Sequence, residues 1–314
     1  MASTRWRLVL LAGMALLAIV GFMVIGVHGN WDFALQFRSG KLAVMLVVAY
    51  CVALSSVLFQ TITHNRILTP TVMGFDSLFM LIQAIAIYVF YGAGGLNTTL
   101  TFIANVVIMT SCACLLFRWV SARDARSMHL LLLVGIVCSM LFRSLASFVI
   151  RLIDPNEFLV LQDRLFANFN TIDIALLPIA VAVIGAASML FWRMRRDYDV
   201  MALGRDAAIN LGVNYTRTLT LTLVGISILV SASTALVGPI AFFGLLVSNM
   251  AYQTIRSHQH IPIVLAAVLY AVLFLVGGQI VLEHLLSLNA TISVIVEFLG
   301  GLLFLFLVLR RGAR

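Results

Sequence analysis

Apolar runs of about 20 residues recur from one end of this chain to the other, and no other feature limits its fold so severely. In hydrocarbon every backbone N–H and C=O must be satisfied within the segment, so a run of that length crosses as a helix. A membrane barrel would need alternating apolar and polar residues, and that alternation is absent. Ten candidate spans fall at 8–27, 42–62, 75–91, 98–117, 128–150, 172–192, 218–236, 240–255, 261–281 and 291–309. The eighth is short and follows Gly238-Pro239, a pair that bends or breaks a helix. Only 10% of the 314 residues are charged, against about 25% in a soluble domain. A chain so poor in charge could not cover its own surface in water. The fold class expected is an all-α polytopic membrane protein with about ten transmembrane helices.

The first run follows Arg5 and Arg7 and is too long for the apolar core of a signal peptide, so it reads as an uncleaved first span. Ten spans put both termini on one side. Arg38, Lys41, Arg151 and Arg164 fall on the other side and Arg143 falls inside a span, which leaves 15 of the 20 Lys and Arg residues with the termini. The positive-inside rule makes that side cytoplasmic. The formal charge of +8 is therefore a topology signal and implies no nucleic acid partner. No Pro/Ser-rich linker or internal repeat divides the chain, so residues 1–314 are expected to form a single transmembrane domain in the lipid bilayer.

Two segments between spans are long, 151–171 outside and 193–217 inside. Within the inner one, Ala207, Ala208 and Leu211 form a small apolar face at helical spacing, bracketed by Gly204 and Gly212. Such a face needs a cover. Lipid and a soluble partner satisfy the spacing equally well.

The stretch Leu203-Gly-Arg-Asp-Ala-Ala-Ile-Asn-Leu-Gly-Val213 resembles the coupling-helix motif of the iron-chelate and cobalamin importer permeases, the FecCD-type family. The resemblance extends from about Arg38 to Arg311. Gln60, Asn65, Pro70 and Gly74 stand in a stretch similar to the family's loop at the cytoplasmic mouth, with Arg66 where proline is usual. Gly238-Pro-Ile-Ala-Phe-Phe-Gly244 through Ser248-Asn249 resembles another family stretch, with Ser-Asn in place of Pro-His. Leu299-Gly300 and Phe304 match near the end, and Leu302 replaces a common proline. The form Asn65-Arg-Ile-Leu-Thr-Pro70 followed by Met73-Gly-Phe-Asp76 is similar to the second permease of catechol-type ferric siderophore systems.

The resemblance implies the cobalamin-importer-permease fold of type II ATP-binding-cassette importers. It implies a coupling helix near 203–213, with Leu203, Gly204, Ala207, Ala208, Leu211 and Gly212 set against an ATP-hydrolysing subunit. It also implies a gate loop carrying Gln60, Asn65, Pro70 and Gly74. Partners would be a pair of ATP-binding subunits, a second related permease in a heterodimer, and a periplasmic or lipid-anchored siderophore-binding protein. The membrane would be the bacterial cytoplasmic (inner) membrane. Arg38 and Lys41 match an external basic pair that receives carboxylates of the binding protein. Two exposed cations three residues apart suit that role by steering and charge-assisted hydrogen bonds, and interfacial anchoring suits them too.

Arg143 lies 15 residues into its span, roughly 22 Å along the helix. At a helix centre it costs about 2.5–3.5 kcal/mol to insert, so it should face a cavity or a partner. Ser139, Arg143 and Ser147 recur every fourth residue and share a face. That face, with Glu297 of the last span, is the expected pathway for an anionic chelate. Snorkelling of Arg143 or its pairing with Glu297 are the structural alternatives. Asp76 is expected to cap the third span.

Cys51, Cys112, Cys114 and Cys138 lie in apolar runs and read as packing residues. His258-x-His260 alone is a weak metal signal. No catalytic constellation and no phosphate-binding loop are visible in the sequence. The chain is expected to be a transport subunit and no enzyme, with no cofactor of its own and ATP and Mg²⁺ held by partner subunits. Cobalamin or haem is the alternative cargo on the same fold. A secondary, ion-coupled transporter is the more distant alternative, disfavoured because Glu297 is the single acid well inside a span.

Overall fold

The computed structural model describes residues 2–26, 31–90, 97–124, 128–170, 173–255, 257–285 and 292–312. Arg126, Arg256 and Arg314, and the expected span ends at 27, 91, 172 and 291, lie outside the described residues. Thirteen α-helices follow one another among the described residues: α1 Ala2–Val24, α2 Trp31–Thr63, α3 Phe75–Phe90, α4 Thr98–Asp124, α5 Met128–Ile150, α6 Pro155–Leu165, α7 Leu177–Arg193, α8 Arg195–Met201, α9 Arg205–Asn210, α10 Tyr215–Val237, α11 Phe243–Thr254, α12 His260–Ile280 and α13 Ile292–Gly312. Short 3₁₀ turns, Pro70–Met73 and Ile174–Leu176, precede α3 and α7, and a π-helical turn, Val281–Leu285, ends α12.

A helix lies at each of the ten expected spans. Seven helical segments among the described residues are long and apolar enough to cross a membrane; α3 is an apolar helix of 16 residues, and α13 is 21 residues long. The eighth expected span is helical over only 12 residues, α11, about 18 Å, and the non-helical 238–242 stretch covers the rest of the distance between the two ends of the bundle. The cause is the bend at 238–242: Gly238 has φ +97°, Pro239 follows, and Phe242 takes a left-handed φ of +57°. Glycine is required at 238, because a Cβ there would sit 3.2 Å from the carbonyl oxygens of Arg164 and Phe166.

The centre of the bundle is α2 and α10, whose most apolar windows are 67% and 72% buried. α10 carries Ser227, Ser231, Ala232 and Ser233 where other helices press on it, all buried. The Thr222 and Ser227 hydroxyls donate back to the carbonyls of Thr218 and Leu223, so these polar groups cost little in an apolar setting. α12 packs along α2, α1 packs on α12, α4 and α7 flank α10, and α3 packs on α5. α5 stands apart: only 11% of its most apolar window is buried.

The bundle has two ends. At one lie α8, α9 and the start of α12; at the other lie α6 and the end of α12. Arg38, Lys41, Arg151 and Arg164, which the sequence assigns to one side, all lie at the α6 end.

Candidate functional site

Six residues are too few to hold a helix in isolation, so α9 depends on its setting. Gly212 ends it at φ +87°. The Val213 N–H donates to the Ala208 carbonyl and the Gly212 N–H to that of Ile209, both at 3.0 Å, which completes a Schellman cap. Ala208 is fully buried and fixes α9 to the body of the protein. This corrects the expected apolar face: Ala208 points inward, and Ala207 is half-buried. The large apolar residues left exposed are Leu203 (67%), Ile209 (48%) and Leu211 (63%). Ile209 was missed because the face was placed by helical spacing alone, which does not say which side the body covers.

Helix α8 anchors the same segment. Its Tyr198 is buried against the Phe191 ring, 5.5 Å between centroids, and its hydroxyl is hydrogen-bonded with that of Thr222 at 3.1 Å. Burial pushes the Tyr198 phenol above its ordinary range, so it stays neutral. Asp199 on α8 accepts from the backbone N–H and ring Nδ1 of His260, each at 2.7 Å. His260 is thus buried and bonded within the fold. Among the described residues no cluster of His, Cys, Asp or Glu could hold a metal ion.

The expected gate residues run along the same end. The Gln60 amide donates to Ser248 Oγ at 2.8 Å. Asn65 Oδ1 accepts from the Ile67 N–H, a local turn that sets the path of the loop. Pro70 is buried and opens the 3₁₀ turn that Gly74 closes at φ +91°. A Cβ on Gly74 would lie 3.1 Å from Ser139 Cα, so glycine lets this turn press on α5. Asn249 donates to the Arg66 carbonyl at 3.1 Å, and the Arg66 guanidinium stacks on Tyr252. Ser248 and Asn249, the departure from the family's Pro-His, therefore hold the loop through Gln60 and Arg66. Nothing in the sequence pointed to those partners, because they lie more than 180 positions away.

At the α6 end the expected docking pair is corrected. Lys41 is buried, ion-paired with Glu283 and donating to Asn170 Oδ1 at 2.5 Å. Arg38 donates to the carbonyls of Phe22 and Ile25, both at 2.7 Å, and so closes the C-terminus of α1. Sequence spacing gave two free cations; folding commits both to internal acceptors.

The expected pathway face divides. Met140, Arg143, Ser144, Ser147, Phe148 and Arg151 line an open groove of about 550 Å³ along one stripe of α5. Ser139 is outside it, bonded to Ser77 at 2.9 Å and facing α3. The reason is helical drift: each four-residue step turns about 40°, so Ser139 and Ser147 are about 80° apart. Glu297 is outside it too. Its carboxyl lies by the Ala241 backbone, at the bend before α11. No Arg143–Glu297 ion pair forms among the described residues. Asp76 lies in the first turn of α3, where the sequence placed a cap, and its charged neighbours are Glu297 and Arg143. Cys51 is buried, and all four cysteines are free.

Known proteins resemble this chain over nearly its whole length. The petrobactin import system permease protein YclO of Bacillus subtilis (strain 168) is 41% identical over 310 residues, 98% of each chain. The petrobactin import system permease protein FatC of Bacillus anthracis is 36% identical, over 88% of this chain and 78% of that one. A solved inward-facing structure of a metal-chelate type ABC transporter superposes with a TM-score of 0.85 over 98% of this chain and 99% of that one, at 21% identity. It shows that the two chains share a fold. The FecCD transport family model matches residues 8–310, and the chain is a member of that family.

Proposed function

We propose that this chain is the membrane-spanning permease subunit of an ATP-driven importer for a ferric siderophore of the catechol type, and that residues 1–314 act as one permease domain. The observation that carries the mechanism is the exposed trio Leu203, Ile209 and Leu211, on and flanking a short helix that is capped at its end and anchored by buried Ala208. Exposed side chains of this size on an immobilised mount suit a protein partner. ATP and Mg²⁺ belong to a pair of such partner subunits. The relatives named for petrobactin import support the cargo class, and cobalamin or haem is the alternative.

The α9 end, with both termini, faces the cytoplasm of the bacterial inner membrane. The α6 end meets a periplasmic or lipid-anchored siderophore-binding protein. With Arg38 and Lys41 committed internally and Arg164 donating to Gln83 at 3.3 Å, that docking falls to other groups, and Arg151 is an exposed cation at that end. The α5 groove faces a second, related permease, so that Arg143, Ser147 and Arg151 line a watery path between the two. Arg143 is exposed on this chain, and lipid contact at its depth would cost about 2.5–3.5 kcal/mol. A path for an anion removes that cost and uses the charge.

The test is reconstitution of the chain with its ATP-binding subunits, partner permease and binding protein in vesicles. Wild type should take up ferric catecholate only with ATP. Ile209→Glu with Leu211→Glu should lose the motor subunit on purification and lose uptake. Arg143→Ala should keep assembly and raise the substrate concentration needed for half-maximal uptake. Undiminished assembly and pumping by the double glutamate variant would overturn the docking role. Uptake with a proton gradient and no ATP would restore the ion-coupled alternative.

A further inference from the structure

His260 joins three elements that the docking role alone does not connect. It is 4% exposed and opens α12. Its N–H and its Nδ1 meet Asp199 of α8, and its Nε2 lies 2.9 Å from Thr61 Oγ1 in the last turn of α2. Thr61 lies within the Gln60–Gly74 stretch, next to Gln60 and two residues before α2 ends at Thr63. Capping explains only part of this. The residue before α12, Gln259, makes no side-chain cap, so Asp199 on another helix does that work. The ring bond to Thr61 adds nothing to a cap.

The surroundings favour a moving part over a static one. One side of the bridge is packed: Tyr198 lies between the Phe191 and His260 rings, with centroids 5.5 and 6.2 Å away. The other side is a cavity of about 420 Å³ whose lining includes Gln60, Thr61, His64, Arg66, Asp199 and His260. His64 holds a left-handed φ of +49° at the bend where α2 ends. Thr61 Oγ1 also lies 2.8 Å from the Val57 carbonyl, so its single proton has an acceptor within α2 when it does not serve His260. The bridge can therefore open without leaving Thr61 unpaired, and the cavity gives it room.

We propose that Asp199, His260 and Thr61 form a positioning bridge that carries displacement of the α8–α9 segment to the end of α2 and so to the Gln60–Gly74 loop. It deepens the reading that α9 receives the motor and rests on it. The bridge touches no cargo; it acts through the loop.

Hydrogen–deuterium exchange on the assembled importer in lipid nanodiscs tests the physical tie. Asp199→Ala, made on α8, should speed exchange at 60–68 by about fivefold, the change that one ordinary hydrogen bond makes in a local opening equilibrium. Thr61→Val, made on α2, should do the same at 197–203, which covers the case in which Asp199→Ala fails to fold. Vesicle assays test the consequence: Thr61→Val should lower chelate moved per ATP hydrolysed by about fivefold with the motor still bound, and Thr61→Ser should restore it. Exchange changes confined to the mutated helix and α12, or equal pumping per ATP by Thr61→Val and Thr61→Ser, would overturn the bridge. The exchange readout needs neither ATP nor cargo, so a wild-type importer that failed to pump would sink the function while the tie was still measured.

Discussion

Helices α2 and α12 run antiparallel, and polar side chains join them at both ends by different chemistry. At the α6 end Lys41 and Glu283 form an ion pair, with Gln279 donating to the same carboxylate at 2.7 Å and Asn170 accepting from the lysine. At the α9 end the join is a hydrogen-bonded histidine beside a cavity. Lys41 and Thr61 are 20 residues apart on α2, about 30 Å, which is the thickness of a bilayer's hydrocarbon. Each join thus sits where the helices leave the apolar layer. An ion pair whose lysine is buried resists change, because removing the carboxylate strands a charge. A neutral hydrogen bond next to open space yields more easily. The α6 end is built as the fixed end of the pair and the α9 end as the adjustable one.

The strongest way to break that contrast is to remove an anion. Glu283→Ala leaves Lys41 buried without its counter-charge and should destabilise the protein by about 3 kcal/mol, the low end for a broken buried pair because Glu283 is 31% exposed. Lys41→Met should cost less, since the glutamate left behind reaches water. Thermal unfolding in detergent micelles measures both. If Glu283→Ala costs no more than Lys41→Met, the α6 end is not held by its ion pair.

Two glycines sharpen the same contrast. Gly238, at the α6 end, has φ +97° and would bring a Cβ 3.2 Å from two carbonyl oxygens. Gly212, at the α9 end, has φ +87° and nothing within 4 Å. Gly212→Ala should cost only the left-handed penalty, about 1–2 kcal/mol. Gly238→Ala adds a clash with backbone and should cost about 1 kcal/mol or more beyond that. Equal melting shifts for the two would show that the α6 end gives way as freely as the other.

Much of this was legible in the sequence, and what was missed has a physical pattern. Apolar runs and the asymmetry of Lys and Arg placed the helices and gathered Arg38, Lys41, Arg151 and Arg164 at one end, because insertion cost acts on each run by itself. The resemblance singled out 203–213 as a candidate docking segment and the Gln60–Gly74 stretch as a candidate gate. Burial was not legible. Ala208 and Ile209 are neighbours in sequence, and only packing decides which is hidden. Lys41 and Arg38 read as free cations because Glu283 and the end of α1 reach them only in the fold. His260 read as half of a weak metal pair because Asp199 and Thr61 lie 61 and 199 positions away. Spacing reports what a helix presents, and long-range partners decide what it keeps.

Asp199→Ala comes next in size. It removes the acceptor for the first N–H of α12, a loss of about 1 kcal/mol, with Asp199→Asn recovering part of it because an amide oxygen can accept the same bonds. Melting of the purified chain checks this. A loss as large as that for Glu283→Ala would mean that the α9 end is as fixed as the other.

The smallest effect on folding is expected where the functional effect is largest. Ile209→Ser with Leu211→Ser changes side chains 48% and 63% exposed, which bury little apolar surface within the chain. Stability in detergent should stay within about 0.5 kcal/mol of wild type, as for surface substitutions away from caps and cores. Ala208, one position away and fully buried, supplies the contrast: Ala208→Leu has no room and should cost about 1–3 kcal/mol. If the serine pair melted as early as Ala208→Leu, Ile209 and Leu211 would be holding the fold together, and their exposure would need no motor to explain it.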